Sequence, residues 1–348
     1  MTTLEIERDV LLAPLTSLEL GGPAKYFVRV TRETTLVDAL RWAANKQVPA
    51  AILAGGSNLI VPDEGYEGLV IQMALAELDF RRGGTVSAGA GVAWEKVVDG
   101  AVARGWAGLE CLSGIPGSTG ATPIQNVGAY GVEVAEVIAR VRVLRRDTFA
   151  FDELVPEDCG FGYRDSVFKR DPDRFVVSSV DFALRPNGPG AVRYAELEKN
   201  IVPDATLAEI RSTVRTLRRR KSMLIEPDDP NRRSAGSFFL NPVVAPADAD
   251  RLAEQAVNEK LVSVANEVPR YPTEGAQVKL AAGWLIEKAG FAKGTRRGAI
   301  GVSSKHALAL VHHGGGTTAE LLAFADEIRA RVLDRFGVTL EREPRLLI

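Results

Sequence analysis

The sequence predicts an α+β protein of more than one domain, and three observations carry that reading. Through the first two thirds, segments with a helical period alternate with apolar runs of strand length. A stretch dense in glycine, serine and threonine breaks the alternation between Ala107 and Gly131. The last third is more helical, and a proline-bearing linker sets it off near residue 222.

The elements follow in order. "TTLVDALRWAANKQ" has apolar residues at helical spacing and opens with a Thr35-to-Asp38 capping arrangement. "VPAAILAGG" is a buried strand running into a glycine turn, and "GLVIQM" is another strand. "WEKVVDGAVARG" is an amphipathic helix stopped by Gly105. The stretch from Ala107 to Gly131 is expected to be a long compact loop rather than a regular element. "VIARVRVLRR" and "FVVSSVDFALR" are strands. "TLAEIRSTVRTLRRRKS" is a helix with a capping box at Thr206 and Glu209. After the linker "IEPDDPNRRS" come the helices "PADADRLAEQAVNEK", "LAAGWLIEKAG" and "TTAELLAFADEIRARVLDRFG". The closing "VTLEREPRLLI" has the pattern of a strand that returns to the body.

Composition narrows the function classes. The chain has 348 residues, a formal net charge of −2, 46% hydrophobic and 25% charged residues, as in ordinary globular proteins. Its apolar runs fall short of the roughly 20 residues a membrane helix needs, and the acidic start "MTTLEIERDV" lacks the features of a signal peptide. A cytoplasmic protein is expected, with Cys111 and Cys159 as plain buried thiols. Three histidines and no CxxC or HExxH motif give no basis for a metal site.

Several motifs could carry chemistry. In "LAGGSNLIV" a strand ends in Gly55-Gly56-Ser57-Asn58-Leu59. Glycines let backbone N–H groups converge on an anion such as a diphosphate, although a simple turn would read the same. In "SGIPGSTGATPIQNVGAYG" the many backbone donors and acceptors suit a large polar ligand, while Ile115, Pro116, Ile124, Val127 and Tyr130 oppose a floppy linker. Arg164, between Tyr163 and Asp165, is a carboxylate fork, the partner of Asp165 or a surface arginine. The cations Arg215, Arg218, Arg219, Arg220, Lys221, Arg232 and Arg233 form a solvated face, a diphosphate contact or a nucleic-acid stripe; the slightly acidic total opposes the last. "SAGSFFLNP" sets Ser237 between Gly236, which permits close approach, and Phe238 and Phe239, which could wall a pocket.

Taken in order, "LAGGSNLIV", "IPGSTGATPIQNVGAYG", "FGYRDSVFK", "AGSFFLNP", "VKLAAGWLIEKAG" and "LEREPRLLI" resemble the UDP-N-acetylenolpyruvoylglucosamine reductase (MurB) family, type I subgroup, over nearly the whole chain. The resemblance implies an FAD-binding fold of the vanillyl-alcohol-oxidase type in two subdomains, plus a separate C-terminal α+β substrate-binding domain. The expected boundaries are 1–75, with 336–348 returning to it, then 76–221, then 222–335. It implies bound FAD and NADPH as co-substrate, with UDP-N-acetylglucosamine-enolpyruvate reduced to UDP-N-acetylmuramate, a peptidoglycan precursor. It implies no nucleic-acid or membrane partner, and a monomer is expected.

By the same resemblance Arg164, Ser237 and Glu343 fall on the catalytic positions. The FAD-binding segments are Gly55 to Leu59 and the second loop. In that loop the positions are Ile115, Pro116, Gly117, Ser118, Gly120, Thr122 and Pro123, then Gln125, Asn126, Gly128, Ala129, Tyr130 and Gly131. Tyr163, Tyr194, Arg218, Lys221, Asn241, Tyr271, Lys293 and His306 fall on substrate or nicotinamide-nucleotide positions.

The chemistry suits these residue types. Hydride addition to the enolpyruvyl group leaves an enediolate, and a fixed guanidinium lowers that barrier most. Glu343 would orient Arg164 or donate a hydrogen bond as a neutral acid. The carbanion-like α-carbon then takes a proton from a held hydroxyl, the role given to Ser237. "LEREP" departs from the family's "LEPEV", so Glu341 competes with Glu343 by register. Leu240 stands where a lysine is common, and the linker "EPDDPNRRSAG" is unusual. The other readings are an oxidase of the same fold and a nucleic-acid-binding protein.

Overall fold

The structure is a computed structural model that describes residues 4–273, 275 and 277–348. It divides into two compact units. The first comprises the chain through Leu11, Pro23–Gly56 and Gly65–Leu224; the second comprises Leu12–Gly22, Ser57–Glu64 and Ile225–Ile348.

The first unit holds two sheets. One has the order Glu7–Leu11, Pro23–Val30, Tyr66–Met73, Ala50–Leu53, antiparallel at the first pair and parallel thereafter. The apolar run Leu69, Val70 and Ile71 sits on its central strand and is buried, as parallel strands require when both faces are covered. The helix Glu33–Lys46 packs Leu36, Ala39, Leu40 and Ala43 against it. That helix starts earlier than its sequence suggests. Arg32 is its N-cap and makes no side-chain cap, so the expected Thr35-to-Asp38 arrangement is not formed. Glu33 takes the first helical position and receives Arg142 through two hydrogen bonds of 2.9 and 3.1 Å. A carboxylate there also suits the helix dipole.

The second sheet is antiparallel, with the order Phe151–Leu154, Ile138–Arg145, Phe175–Ala183, Thr85–Gly89, Leu78–Arg81. The helices Trp94–Ala103 and Leu207–Arg220 cover one face of it. Trp94 packs against Phe182 at 5.7 Å and donates its indole N–H to the Leu112 carbonyl at 3.0 Å, which fixes the start of the glycine-rich stretch. The Leu207–Arg220 helix opens with the expected capping box of Thr206 and Glu209. The stretch taken as a continuous loop contains a short helix, Thr122–Gln125, and a hairpin pairing Gly128–Ala129 with Val132–Glu133.

The second unit has two small three-stranded sheets and the helices Pro246–Asn258, Ala282–Lys288 and Thr318–Phe336. Its core includes Phe238, Phe239, Leu252, Ile286, Phe324 and Phe336. The returning C-terminal strand is only Arg345–Leu346, and it pairs in parallel with Leu59–Ile60. Both strands lie in this second unit, and residues 336–348 group with 225–335 instead of with most of 1–75. The physical reason is the apolar run Phe336, Val338 and Leu340, which is buried in the second unit's core.

Candidate active site

Two glycine-bearing loops meet backbone to backbone in the first unit. A Cβ on Gly55 would lie 2.5 Å from the Gly117 Cα and 3.0 Å from the Ser118 nitrogen, so only glycine permits this approach. The second loop is stitched to the segment that follows the Thr85–Gly89 strand. Thr119 N–H donates to the Val92 carbonyl at 2.8 Å, and Gly120 N–H donates to the Ala90 carbonyl at 3.0 Å. Among the described residues, Ser118 Oγ and Gln125 Oε1 are buried without a hydrogen-bond partner. Each such orphan costs about 1–3 kcal/mol unless something satisfies it. A ligand rich in donors and acceptors fits that need.

Arg164 sits at the tip of a tight turn. Gly162 N–H donates to the Asp165 carbonyl at 3.0 Å and Asp165 N–H returns to the Gly162 carbonyl at 3.1 Å. Arg164 has φ +52° while Tyr163 does not enter the left-handed region, the pattern of a type II turn. Glycine or asparagine is usual at that position, so an arginine there is strained. Its Nη1 donates to the Asn126 carbonyl at 3.1 Å and its Nη2 to the Gly128 carbonyl. Lys169 Nζ donates to the Arg164 carbonyl at 2.7 Å. Asp165 pairs with Arg170. Ser166 caps the short helix Val167–Arg170 and donates its hydroxyl to the Ile124 carbonyl at 2.8 Å, tying this turn to the second loop.

Tyr130, Tyr194, Arg218 and Lys221 also gather in the first unit. Tyr130 and Gly131, at φ +51° and +78°, form the two-residue turn of the 128–133 hairpin, and Tyr130 meets Tyr194 edge-on at 5.8 Å. Burial pushes the Tyr130 hydroxyl up to about 12. Burial likewise lowers the Arg218 guanidinium to about 10. Arg218 donates to the Met223 carbonyl at 2.9 Å, and its buried Nε has no partner among the described residues. Lys221 pairs with Glu196 at 2.5 Å.

Other cations of that run, and Arg211 before it, are paired elsewhere. Arg211 and Arg215 reach Glu95 at 2.7 and 2.8 Å, and Arg232 and Arg233 are bound by Glu19. Glu95 also accepts from Ser113 Oγ and the Gly114 N–H. Burial works against its charge, but these donors outweigh it and hold the carboxyl below its usual range.

The second unit carries Ser237 and Glu343 on neighbouring backbone. Glu343 N–H donates to the Phe238 carbonyl at 3.0 Å, and Leu240 N–H donates to the Glu341 carbonyl at 2.9 Å. Asn58 Nδ2 donates to the Glu343 carbonyl at 3.4 Å. Glu343 is half-buried, whereas Glu341 is exposed. Ser237 is half-buried and follows Gly236, at φ +73°. Phe238 and Phe239, expected as pocket walls, are 0% and 1% exposed and belong to the unit's core. Phe238 N–H donates to the Leu308 carbonyl at 2.7 Å, which turns this segment inward. Asn241 Oδ1 accepts from Ala282 N–H at 3.0 Å at the start of a helix. Tyr271 is exposed, Lys293 lies 3.8 Å from Glu287 on the surface, and His306 is half-buried. Of the expected cofactor positions, Ser57, Asn58 and Leu59 belong to this unit and the rest to the first.

Residues 24–148 match the family described as FAD binding domain, and residues 228–347 match the family described as UDP-N-acetylenolpyruvoylglucosamine reductase, C-terminal domain. The UDP-N-acetylenolpyruvoylglucosamine reductase of Thermobifida fusca is 42% identical over 354 residues, covering 99% of this chain and 99% of that protein. That of Nocardia farcinica is 46% identical over 350 residues, covering 99% of this chain and 90% of the relative. The crystal structure of the MurB reductase from Thermus caldophilus superimposes with a TM-score of 0.68 at 27% identity, covering 99% of this chain and all of that one.

This chain belongs to the UDP-N-acetylenolpyruvoylglucosamine reductase family.

The fold class is the expected one for a MurB reductase: an FAD-binding domain followed by a distinct C-terminal α+β domain. Among the described residues, no helix is long and apolar enough to cross a membrane. The sequence reading missed three anchoring residues, Glu95, Glu133 and Lys169. Each is a charged residue on an otherwise ordinary element, bonded to a group 19, 7 or 5 residues away, a separation that no helical or strand period marks. Only the Gly131 turn after "PIQN" hinted at the hairpin that carries Glu133.

Proposed function

We propose that this MurB reductase uses NADPH and bound FAD to reduce UDP-N-acetylglucosamine-enolpyruvate to UDP-N-acetylmuramate, a step in peptidoglycan precursor synthesis. FAD, when bound, supplies the hydride chemistry between the two substrates. The residues that would hold it are Gly55 and Gly56 in the first loop, with Gly117, Ser118, Gly120 and Gln125 in the second, and the contact of Gly55 with Gly117 brings the two loops together. The orphaned Ser118 Oγ and Gln125 Oε1 are the polar atoms it would satisfy.

Arg164 binds the substrate carboxylate and stabilises the enediolate that forms on it. The observation that supports this role is the tight turn that carries Arg164 at φ +52°, with its guanidinium held by the Asn126 and Gly128 carbonyls beside the second glycine-rich loop. Ser237 gives its hydroxyl proton to the substrate α-carbon. Glu343 acts with Arg164 on the enolate, and its partial burial supports it over the exposed Glu341. Tyr163, Tyr194, Arg218, Lys221, Asn241, Tyr271, Lys293 and His306 contact the nucleotide substrates. The protein works in the cytoplasm as a monomer.

The test is an anaerobic titration. Purified protein should be yellow, NADPH should bleach it, and the enolpyruvyl nucleotide should restore the colour. Restoration only on admitting oxygen would indicate an oxidase of the same fold and overturn the proposal.

A further inference from the structure

Two residues of the second glycine-rich loop behave differently from their neighbours. Asn126 is 1% exposed and stands in the left-handed region at φ +40°. Its amide is occupied inside the protein. Nδ2 donates to Glu133 Oε2 at 2.7 Å and to the Gly162 carbonyl at 2.9 Å, while Oδ1 accepts from Ala135 N–H at 3.2 Å. Both N–H groups of the side chain are thus used. Its main-chain carbonyl takes Arg164 Nη1. Gly162 is the first residue of the Arg164 turn, so Asn126 grips that turn at its base and at its tip.

Gly128 completes the arrangement. Its carbonyl takes Arg164 Nη2. A Cβ added there would lie 3.0 Å from Arg164 Nη1, 3.1 Å from Glu133 Cγ and 2.9 Å from the Val132 carbonyl. The hairpin register sets Glu133 opposite Gly128, so the Glu133 stem fills the space a side chain at 128 would need. The guanidinium therefore rests in a seat of two carbonyls, and that seat exists only with an amide at 126 and no side chain at 128.

We propose that Asn126 and Gly128 are positioning residues for Arg164, aiming its guanidinium, and are not themselves FAD ligands. The inference rests on the role given to Arg164 above. Three of the non-glycine residues with positive φ, Asn126, Tyr130 and Arg164, fall in this one corner. Strain concentrated there is what a pre-aimed cation requires.

The experiment uses the FAD-loaded protein and four variants: Arg164→Ala, Asn126→Ala, Gly128→Ala and Asn126→Ala/Arg164→Ala. Flavin content, anaerobic reduction by NADPH and anaerobic reoxidation by the enolpyruvyl nucleotide are measured for each. Asn126→Ala and Gly128→Ala should keep full flavin content and normal reduction. Reoxidation should slow by roughly 10²-fold, as for a misplacement of about 1 Å. The double variant should be no slower than Arg164→Ala alone, a non-additivity that mere loosening of the loop would not produce. Loss of flavin from both single variants, or multiplied effects in the double variant, would overturn the inference while leaving the role of Arg164 standing. Normal reoxidation in Arg164→Ala would remove that role and the inference with it. If Asn126→Ala fails to fold, a cycle of Gly128→Ala with Arg164→Ala asks the same question.

Discussion

Replacing Arg164 with glycine should give a more stable protein than replacing it with alanine, although both variants lose the same guanidinium. Arg164 holds φ +52° in the Gly162–Asp165 turn. A left-handed L-residue costs roughly 1–2 kcal/mol. Either substitution deletes the bonds to the Asn126 and Gly128 carbonyls, so that loss cancels in the comparison. Alanine keeps the strain and glycine relieves it. Against this, glycine adds about 0.4–1 kcal/mol of unfolded-chain entropy. The net advantage of glycine is therefore about 0.5–1 kcal/mol, whereas at an ordinary extended or helical site alanine would win. Urea unfolding followed by tryptophan fluorescence suits the question, because Trp42, Trp94 and Trp106 lie in the unit that contains Arg164 and only Trp284 lies in the other. A Gly variant with a midpoint equal to or below that of the Ala variant, at unchanged slope, would refute the reasoning.

Three further outcomes are expected. Glu95→Gln should destabilise the first unit by roughly 2–3 kcal/mol, since charged hydrogen bonds to Arg211, Arg215, Ser113 and the Gly114 N–H are lost or weakened. Because the Glu95 carboxyl is held below its usual 4.5 when folded, its contribution is complete above that value and is lost as pH falls through the lowered one. The wild-type stability curve should thus drop in acid more steeply than that of the variant; parallel curves would contradict the assignment. Cys111 and Cys159, both pushed up to about 12 by burial, should resist a thiol reagent at pH 8 until the protein is denatured; rapid native labelling would show the burial to be wrong. Ser237→Ala should leave reduction by NADPH intact and slow reoxidation by the enolpyruvyl nucleotide by several orders of magnitude, with Ser237→Cys retaining more; equal loss in both half-reactions would count against a proton-donating Ser237.

Local features were legible because their causes are local. The capping box of Thr206 and Glu209 closes within one helical turn, and Gly105 follows the end of the Trp94–Ala103 helix as its sequence suggests. The start of the first helix was not legible, because Arg142, far along the chain, bonds to Glu33. The hairpin at Tyr130-Gly131 escaped notice because tyrosine is not a usual residue for a left-handed turn position. The same distinction applies to the candidate site. The sequence by itself determined the composition of the two glycine loops and placed an arginine between Tyr163 and Asp165, where an ion pair with Asp165 or a surface position was the plainer reading. Tertiary structure decided that Asp165 goes to Arg170, and that Arg164 is carried by carbonyls 38 and 36 residues away. Helical period and caps depend on neighbours within about four residues. The direction of a long cation depends on which distant backbone groups the fold brings within hydrogen-bond distance of it, and no local pattern encodes that.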